Sequence, residues 1–565
     1  MRIFYVHFIF FIFFILITVF SVAISLLVTF RSQSFFLSFN LYSFWNIEIT
    51  FRLYIDFFSS WFSSVVLFIR RIVIIYSYSY ISPYSKPFYF LSLTSLFVVS
   101  ILIVIFFSNL FFVMLGWDGL GLISFFLILF YQNPSSISRG CFTLIINRVG
   151  DSLFLVTLTY VFILEPSFTP FFLSPTNNFL VIWVIVVCFI TKRALYPFSP
   201  WLPEAIAAPT PISSLVHSST LVTAGFFLII RYSYFIYSSY PCIVFLLLSS
   251  LFTSFYAGVN ALFEIDLKKL IALSTLSHLG FIGIAFSVGL PHLCFFHMVT
   301  HALFKSLLFI RIGDVIKNLS HSQDIRFLSQ GMLLTPTSRL LILLSLLNLL
   351  GLPFIRGFFS KDLVLEIVAC TYFSFVSYLL IVANLVLTYL YSYKLFNFFL
   401  RRVKTTPFLT SSKIEKIHLV LLLALRVFII RIGLIFQKII SCFFYTMVTP
   451  LPLKIIPLML SFLVFIFFFT LLVSYTPKKT LVSLRRTMLL LRVLAFSTLG
   501  ALYKSLLFES VKTFESGALI GVFTLTPTFL SAYSFINLSF ATPSKHLKFI
   551  LPLIFFICLD RKSVV

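Results

Sequence analysis

Apolar residues run along this chain in long blocks, and the polar positions gather between the blocks instead of alternating with them. A helix needs about 20 consecutive apolar residues to cross a hydrocarbon core of about 30 Å. Runs that qualify begin near positions 4, 56, 88, 109, 140, 178, 209, 243, 269, 291, 337, 358, 376, 416, 456, 517 and 548. Some of these read as half-helices or interfacial segments, so the pattern predicts roughly fourteen or fifteen transmembrane spans. Connections are mostly short, and the stretch 31–50 reads as a linker. The pattern therefore predicts an all-α polytopic membrane protein without a large extramembrane domain. The N-terminal apolar run is too long for the core of a signal peptide and lacks the amphipathic, Arg-rich character of a transit peptide.

Composition narrows the class further. Of 565 residues, 60% are hydrophobic and 10% charged, and the mean hydropathy is +1.11. Soluble chains run at about 45–50% apolar and about 25% charged, and a soluble fold of this size could not cover its surface with so few charges. Lys and Arg number 41 against 16 Asp and Glu, a formal charge of +25. Much of that excess sits in short connections such as Arg70-Arg71, Arg401-Arg402, Lys478-Lys479 and Arg485-Arg486. It reads as topological, with basic loops held on one side against anionic headgroups, and no nucleic-acid partner is expected. Between about 400 and 510, Lys and Arg recur through otherwise apolar sequence, which suits helices lying along the interface. The 7 cysteines are widely spaced with no C-x-x-C, so neither a disulfide framework nor a metal site is expected. The 78 phenylalanines suggest T-rich coding, as in an organelle genome.

The informative residues are those that do not belong in a membrane. A charge at mid-bilayer costs about 2.5–3.5 kcal/mol on insertion scales, so a buried one is a functional candidate by default. Asp118 lies nine residues into the run Asn109–Tyr131, roughly 13 Å deep. Lys192 ends the run Asn178–Lys192, and Pro197, Pro200, Pro203, Pro209 and Pro211 follow it. Such proline density predicts a broken helix, tolerated at depth only where it lines a cavity or packs in protein. His217 sits in the continuation, flanked by hydroxyls. His297, His301 and Lys305 are spaced i, i+4, i+8, which puts them on one helix face, each within hydrogen-bond or single-water reach of the next. A second break is expected at Pro353 and Gly357, before Lys361 and Asp362, which are adjacent and so point in different directions. Each candidate also has a structural reading: Asp118 as a packing carboxylate, the lysines as donors to freed carbonyls, His217 as an interhelical donor. Arg148 and Asp151, at i and i+3, read as an internal ion pair that fixes packing. GWDGLGL lacks a preceding strand and the G-x-G-x-x-G spacing of a dinucleotide fingerprint. On residues alone, the chain reads as an ion or proton conductor built from protonatable side chains.

These segments resemble the antiporter-like membrane subunits of respiratory complex I, the proton-translocating NADH:ubiquinone oxidoreductase. The resemblance runs through NLFFVMLGWDGLGLISFFLI, NRVGD, TKRALYPFSPWLPEAIAAPTPISSLVHSSTLVTAG, IDLKKLIALSTLSHLG, HMVTHALFKSLLF, HSQDIR and GLPFIRGFFSKD, roughly residues 50–400. It implies two inverted repeats with two broken helices. The parts are then N-terminal helices over 1–107, repeats over 108–235 and 240–400, and over 401–565 an extension with a lateral amphipathic helix and closing anchor. It also implies that Asp118 pairs with Lys192, that His217, His301 and Lys305 lie on a central hydrated axis, and that Lys361 with Asp362 lies on the outward half-channel. With His297, these residues would carry protons, coupled to electron transfer elsewhere. NADH, FMN, iron–sulfur clusters and ubiquinone would belong to partner subunits, with no cofactor held by this chain. Partners would be sister antiporter-like chains and membrane lipids, including cardiolipin at basic segments, in the mitochondrial inner membrane.

Three departures from the family pattern stand out. Asp118 occupies a position where the family has Glu, so its carboxyl retreats by one methylene, and pairing with Lys192 would need a backbone shift or a bridging water. Arg193 adds a cation beside Lys192 where a small or polar residue is usual. The family's first helix is expected to be absent. Multisubunit sodium/proton antiporters share these motifs and form the alternative reading. A scaffold with a dead channel is the third.

Overall fold

The computed structural model describes residues 2–400, apart from 32, 45–46, 82–86, 165–178, 319–322, 326–335, 352–355 and 371–374, together with 456–457 and 459–464. The chain divides into two units, Met1–Met488 and Leu489–Val565, and every described residue belongs to the first. The basic block and closing anchor expected beyond residue 400 lie outside the described residues.

The long apolar blocks are helices. In chain order they are α1 (Arg2–Arg31), α2 (Phe57–Ile81), α3 (Pro87–Phe106), α4 (Leu110–Ile128), α5 (Pro134–Leu164) and α6 (Phe179–Arg193). Short turns α7 (Trp201–Glu204) and α8 (Thr210–Ile212) lead through a π-helical stretch, Ser213–Thr220, into α9 (Leu221–Arg231) and α10 (Ser233–Tyr237). The remainder are α11 (Tyr240–Phe263), α12 (Leu267–Ser287), α13 (Pro291–Asn318), α14 (Pro336–Leu350), α15 (Arg356–Cys370) and α16 (Phe375–Leu400). Among the described residues, 10 helical stretches are long and apolar enough to cross a membrane. The chain is a predominantly helical polytopic membrane protein.

One element departs from the all-α expectation. The stretch read as a linker forms an antiparallel hairpin, β1 (Phe35–Phe44) and β2 (Ile47–Ile55), paired from Phe35↔Ile55 to Phe44↔Ile47 with an irregularity between Asn40 and Tyr42. The reason is local: Ile47, Ile49, Phe51, Leu53 and Ile55 alternate with Glu48, Thr50, Arg52 and Tyr54, the period of a strand with two unlike faces.

The stretch Thr210–Arg231, α12 and α13 are enclosed by the other helices throughout their membrane-length windows. Side chains there meet protein instead of lipid, which is where ionisable groups in a membrane protein belong. Both expected helix breaks are present. Among the described residues helix α6 has 15 residues, about 22 Å, shorter than a hydrocarbon core of about 30 Å, and it ends at Lys192 and Arg193. The chain turns at Ala194, whose φ is +56°, and Trp201 Nε1 donates to the freed Thr191 carbonyl at 2.9 Å. Helix α14 likewise has 15 residues and ends at Gly351, with φ +71°, before α15 begins at Arg356. Pro353 lies outside the described residues. Gly357 packs on the end of α14 so closely that a Cβ would sit 1.9 Å from the Asn348 carbonyl oxygen, so only glycine fits.

Candidate functional site

The first cluster is built where α5 and α6 touch. A Cβ on Gly150 would lie 2.1 Å from Thr191 Oγ1, and Cys188 Sγ donates to the Gly150 carbonyl at 3.3 Å. That close approach brings the next residue on each helix, Asp151 and Lys192, into contact. Lys192 is fully buried, its Nζ 3.5 Å from Asp151 Oδ1 and 4.1 Å from the centre of the Trp117 ring. The same ammonium donates to the Trp117 carbonyl oxygen. Asp151, 4% exposed, also pairs with the exposed Arg148 at 3.5 Å.

This corrects the expected pairing. Asp118 is half-buried on α4 and near enough for Lys192 and Arg148 to act on its charge, but the contact ion pair of Lys192 goes to Asp151. Among the described residues, Asp118 Oδ1 has no hydrogen-bond donor. The shorter side chain keeps its carboxyl back on α4, while Asp151 is delivered by the Gly150–Thr191 contact. Asp151, read from sequence as a packing residue, is thus the direct partner of the buried lysine. Its one visible signal was a carboxylate inside an apolar run.

Arg193 does not crowd Lys192. The lysine turns toward α4 and α5, whereas Arg193 turns toward α9, donating to the Gly225 carbonyl at 2.6 Å and lying 4.2 Å from the centre of the Phe226 ring. His217 falls in the π-helical stretch, and its side chain lies outside the described residues.

The second cluster spans α12, α13, α15 and α16. His297, His301 and Lys305 are at most 1% exposed and share α13, as expected. The side-chain hydrogen bonds of His297 and Lys305, however, run to other helices. Lys305 Nζ donates to Ser274 Oγ on α12 at 2.7 Å. His297 Nδ1 lies 2.9 Å from Ser360 Oγ on α15, and its Nε2 lies 3.5 Å from Nδ1 of His278 on α12. The His301 ring lies 5.5 Å from that of His278, centre to centre. His278 was not singled out from sequence, although a histidine among Ser274, Thr275 and Ser277 in an enclosed helix is a legible polar stripe.

Lys361 Nζ donates to Thr388 Oγ1 of α16 at 2.6 Å and faces the Tyr389 ring at 4.5 Å. Asp362 is 3% exposed, and among the described residues its Oδ1 has no hydrogen-bond donor. Adjacent in sequence, the two point apart, as expected. Lys305 and Lys361 are therefore held by hydroxyls. A hydroxyl accepts from an ammonium and donates to a neutral amine, so such a site serves either protonation state.

Residues 108–390 match the family described as NADH:quinone oxidoreductase/Mrp antiporter, transmembrane. The chain belongs to this family. Relatives named NADH-ubiquinone oxidoreductase chain 5 include that of Anopheles quadrimaculatus, 40% identical over 382 residues, covering 66% of this chain and 65% of the relative. That of Aedes aegypti is 41% identical over 365 residues, covering 64% and 63%. That of Anopheles arabiensis is 40% identical over 361 residues, covering 63% of this chain and 94% of the relative. The chain thus spans just under two thirds of the length of the first two. The fold is similar to a chain of the Mrp complex from Dietzia sp., with TM-score 0.68 and 22% identity over 92% of this chain and 59% of that one. It is also similar to a chain of an archaeal membrane-bound sulfane sulfur reductase, with TM-score 0.67 and 18% identity over 76% and 90%. Both clusters lie inside the segment that the family covers.

Proposed function

We propose that this chain is the chain-5 antiporter-like subunit of proton-translocating NADH:ubiquinone oxidoreductase, moving protons through its enclosed ionisable residues. The observation that carries the reading is the set of buried amines, Lys192, Lys305 and Lys361, on separate helices of a membrane domain whose family and curated relatives point to this complex. Structural packing alone does not account for them, since buried charges without a task are costly.

The mechanism is electrostatic. A charge change arriving from a neighbouring subunit alters the field on Lys192 and its carboxylates Asp151 and Asp118. One charge pair at 4 Å and an effective dielectric of 20 is worth about 4 kcal/mol, or about three powers of ten in a protonation equilibrium. That is sufficient to switch a buried amine between its two states. The proton then passes by way of His217, His297, His301 and Lys305 to Lys361 and Asp362. Redox chemistry, with NADH, FMN, iron–sulfur clusters and ubiquinone, belongs to partner subunits. The expected setting is the mitochondrial inner membrane, among sister chains and lipids such as cardiolipin.

The test is the number of protons moved per NADH oxidised in sealed membranes carrying Lys192→Ala. Assembly is expected to survive and the ratio to fall. A normal ratio would sink the proposal. The Mrp-like fold keeps sodium/proton exchange as the second reading; a sodium-driven proton flux without NADH oxidation would establish it.

A further inference from the structure

Basic side chains gather at one end of the helical bundle, away from the two clusters described above. They line a cavity of about 350 Å³, enclosed in part by Tyr80, Tyr131, Ser135, Arg139, Lys268 and Lys269. The helices reach it at their tips: Tyr80 is the penultimate residue of α2, Ser135 the second of α5 and Lys268 the second of α12. All three helices are long enough to span a membrane, so the cavity lies at the level of lipid headgroups, where tyrosines are favoured.

Charge at the cavity is unbalanced. Arg139 Nε pairs with Glu204 Oε2 at 3.3 Å, and Lys269 Nζ pairs with Asp266 Oδ2 at 3.3 Å. Lys268 is 5% exposed, and among the described residues no hydrogen bond, ion pair or ring contact reaches it. A lysine that only reached for bulk water would be more exposed than this. A buried ammonium without a counter-charge is costly, and its position adds to the cost. Lys268 and Lys269 stand in the first turn of α12, where the helix dipole disfavours cations. The N-cap residue Asp266 makes no side-chain capping bond and is drawn off to Lys269 instead. The N-terminus of α5 opens on the same cavity through Ser135 and Ser136. Two helix N-termini, a guanidinium and an unpaired ammonium thus converge on one polar space, and each attracts an anion. The hydroxyls around them suit a group with several acceptor oxygens. At about 30 Å³ per water, the cavity has room for such a group with part of its hydration.

We propose that this cavity binds a phosphate group, with Lys268 as its principal ligand and Arg139 and the N-termini of α5 and α12 around it. The group belongs to an anionic phospholipid or to a free phosphate ion, which present the same oxygens to the same donors. The site is separate from Lys192, Lys305 and Lys361, and it does not depend on the route of protons through the chain.

The experiment follows reductive methylation of lysines in the assembled membrane complex, read peptide by peptide by mass spectrometry. Lys394, held by the Leu262 and Glu264 carbonyls and not lining the cavity, is the internal reference. Rates are compared in phosphate and in chloride at matched ionic strength, and in vesicles of phosphatidylcholine alone or with phosphatidylglycerol. Methylation of Lys268 relative to Lys394 is expected to slow about tenfold or more where the anion is present, because a charge-assisted bond must open first. Slowing by phosphate identifies the free ion, and slowing by phosphatidylglycerol alone identifies the lipid. Equal rates in every condition mean a hydrated lysine and overturn the site. Should Lys268 resist methylation throughout, thermal melts decide. Phosphate or phosphatidylglycerol is then expected to raise the melting temperature of the wild-type complex more than that of Lys268→Gln, or of Arg139→Gln if the first variant does not assemble. Equal shifts in wild type and variant overturn the proposal.

Discussion

Lys192 shows how one buried charge is made tolerable. Its ammonium has a carboxylate at 3.5 Å, a carbonyl and an indole face, so three kinds of electron-rich partner share the desolvation. Removing one partner of a buried ion pair costs about 3–5 kcal/mol, because the other is left uncompensated. Asp151→Asn is therefore expected to lower the thermal stability of the complex strongly. Asp118→Asn, outside the contact pair, is expected to cost less than about 1 kcal/mol while still lowering protons per NADH. Thermal melts of the two purified variants check this order, and the reverse order would return the pairing to Asp118. Trp117→Leu removes the ring but not the backbone carbonyl, so a loss of about 0.5–2 kcal/mol is expected in the same melts.

Between elements, the site depends on how closely helices approach. Gly150 lets α5 meet α6 at Thr191, and Gly357 lets α15 start against the end of α14. Neither contact involves an ionisable group, yet the first places Asp151 beside Lys192 and the second places Ser360 and Lys361 one turn from the break. Gly150→Ala should force the helices apart at a cost of about 1–3 kcal/mol and lower proton transfer together with stability. Adding Thr191→Ala removes the nearest atom, so the double variant is expected to recover part of the melting temperature. No recovery would show that the contact is not what limits the approach. The hairpin β1–β2 is the element that block-wise reading passed over. Its period-2 alternation over 47–55 was legible, but a short apolar stretch between two spans is read first as a connection.

At the scale of the whole molecule, an enclosed set of ionisable helices within a family of membrane complexes predicts behaviour in the membrane. On a native gel of mildly solubilised membranes, the chain is expected in a large band that oxidises NADH. Migration with small hydrophobic partners alone would favour the antiporter reading. Much of this was legible beforehand. The membrane class, the helices up to residue 400, both helix breaks and the out-of-place Asp118, Lys192, His297, His301, Lys305, Lys361 and Asp362 follow from windows of about 20 residues, because insertion energy sums over neighbours along the chain. The tertiary structure decided the pairings. Asp151 and Lys192 are 41 positions apart, and His278, His297 and Ser360 come from three helices. Which of several carboxylates a lysine meets, or which helix an imidazole faces, depends on ångström-scale packing between segments far apart in sequence, and a Coulomb or hydrogen-bond energy changes steeply over such distances.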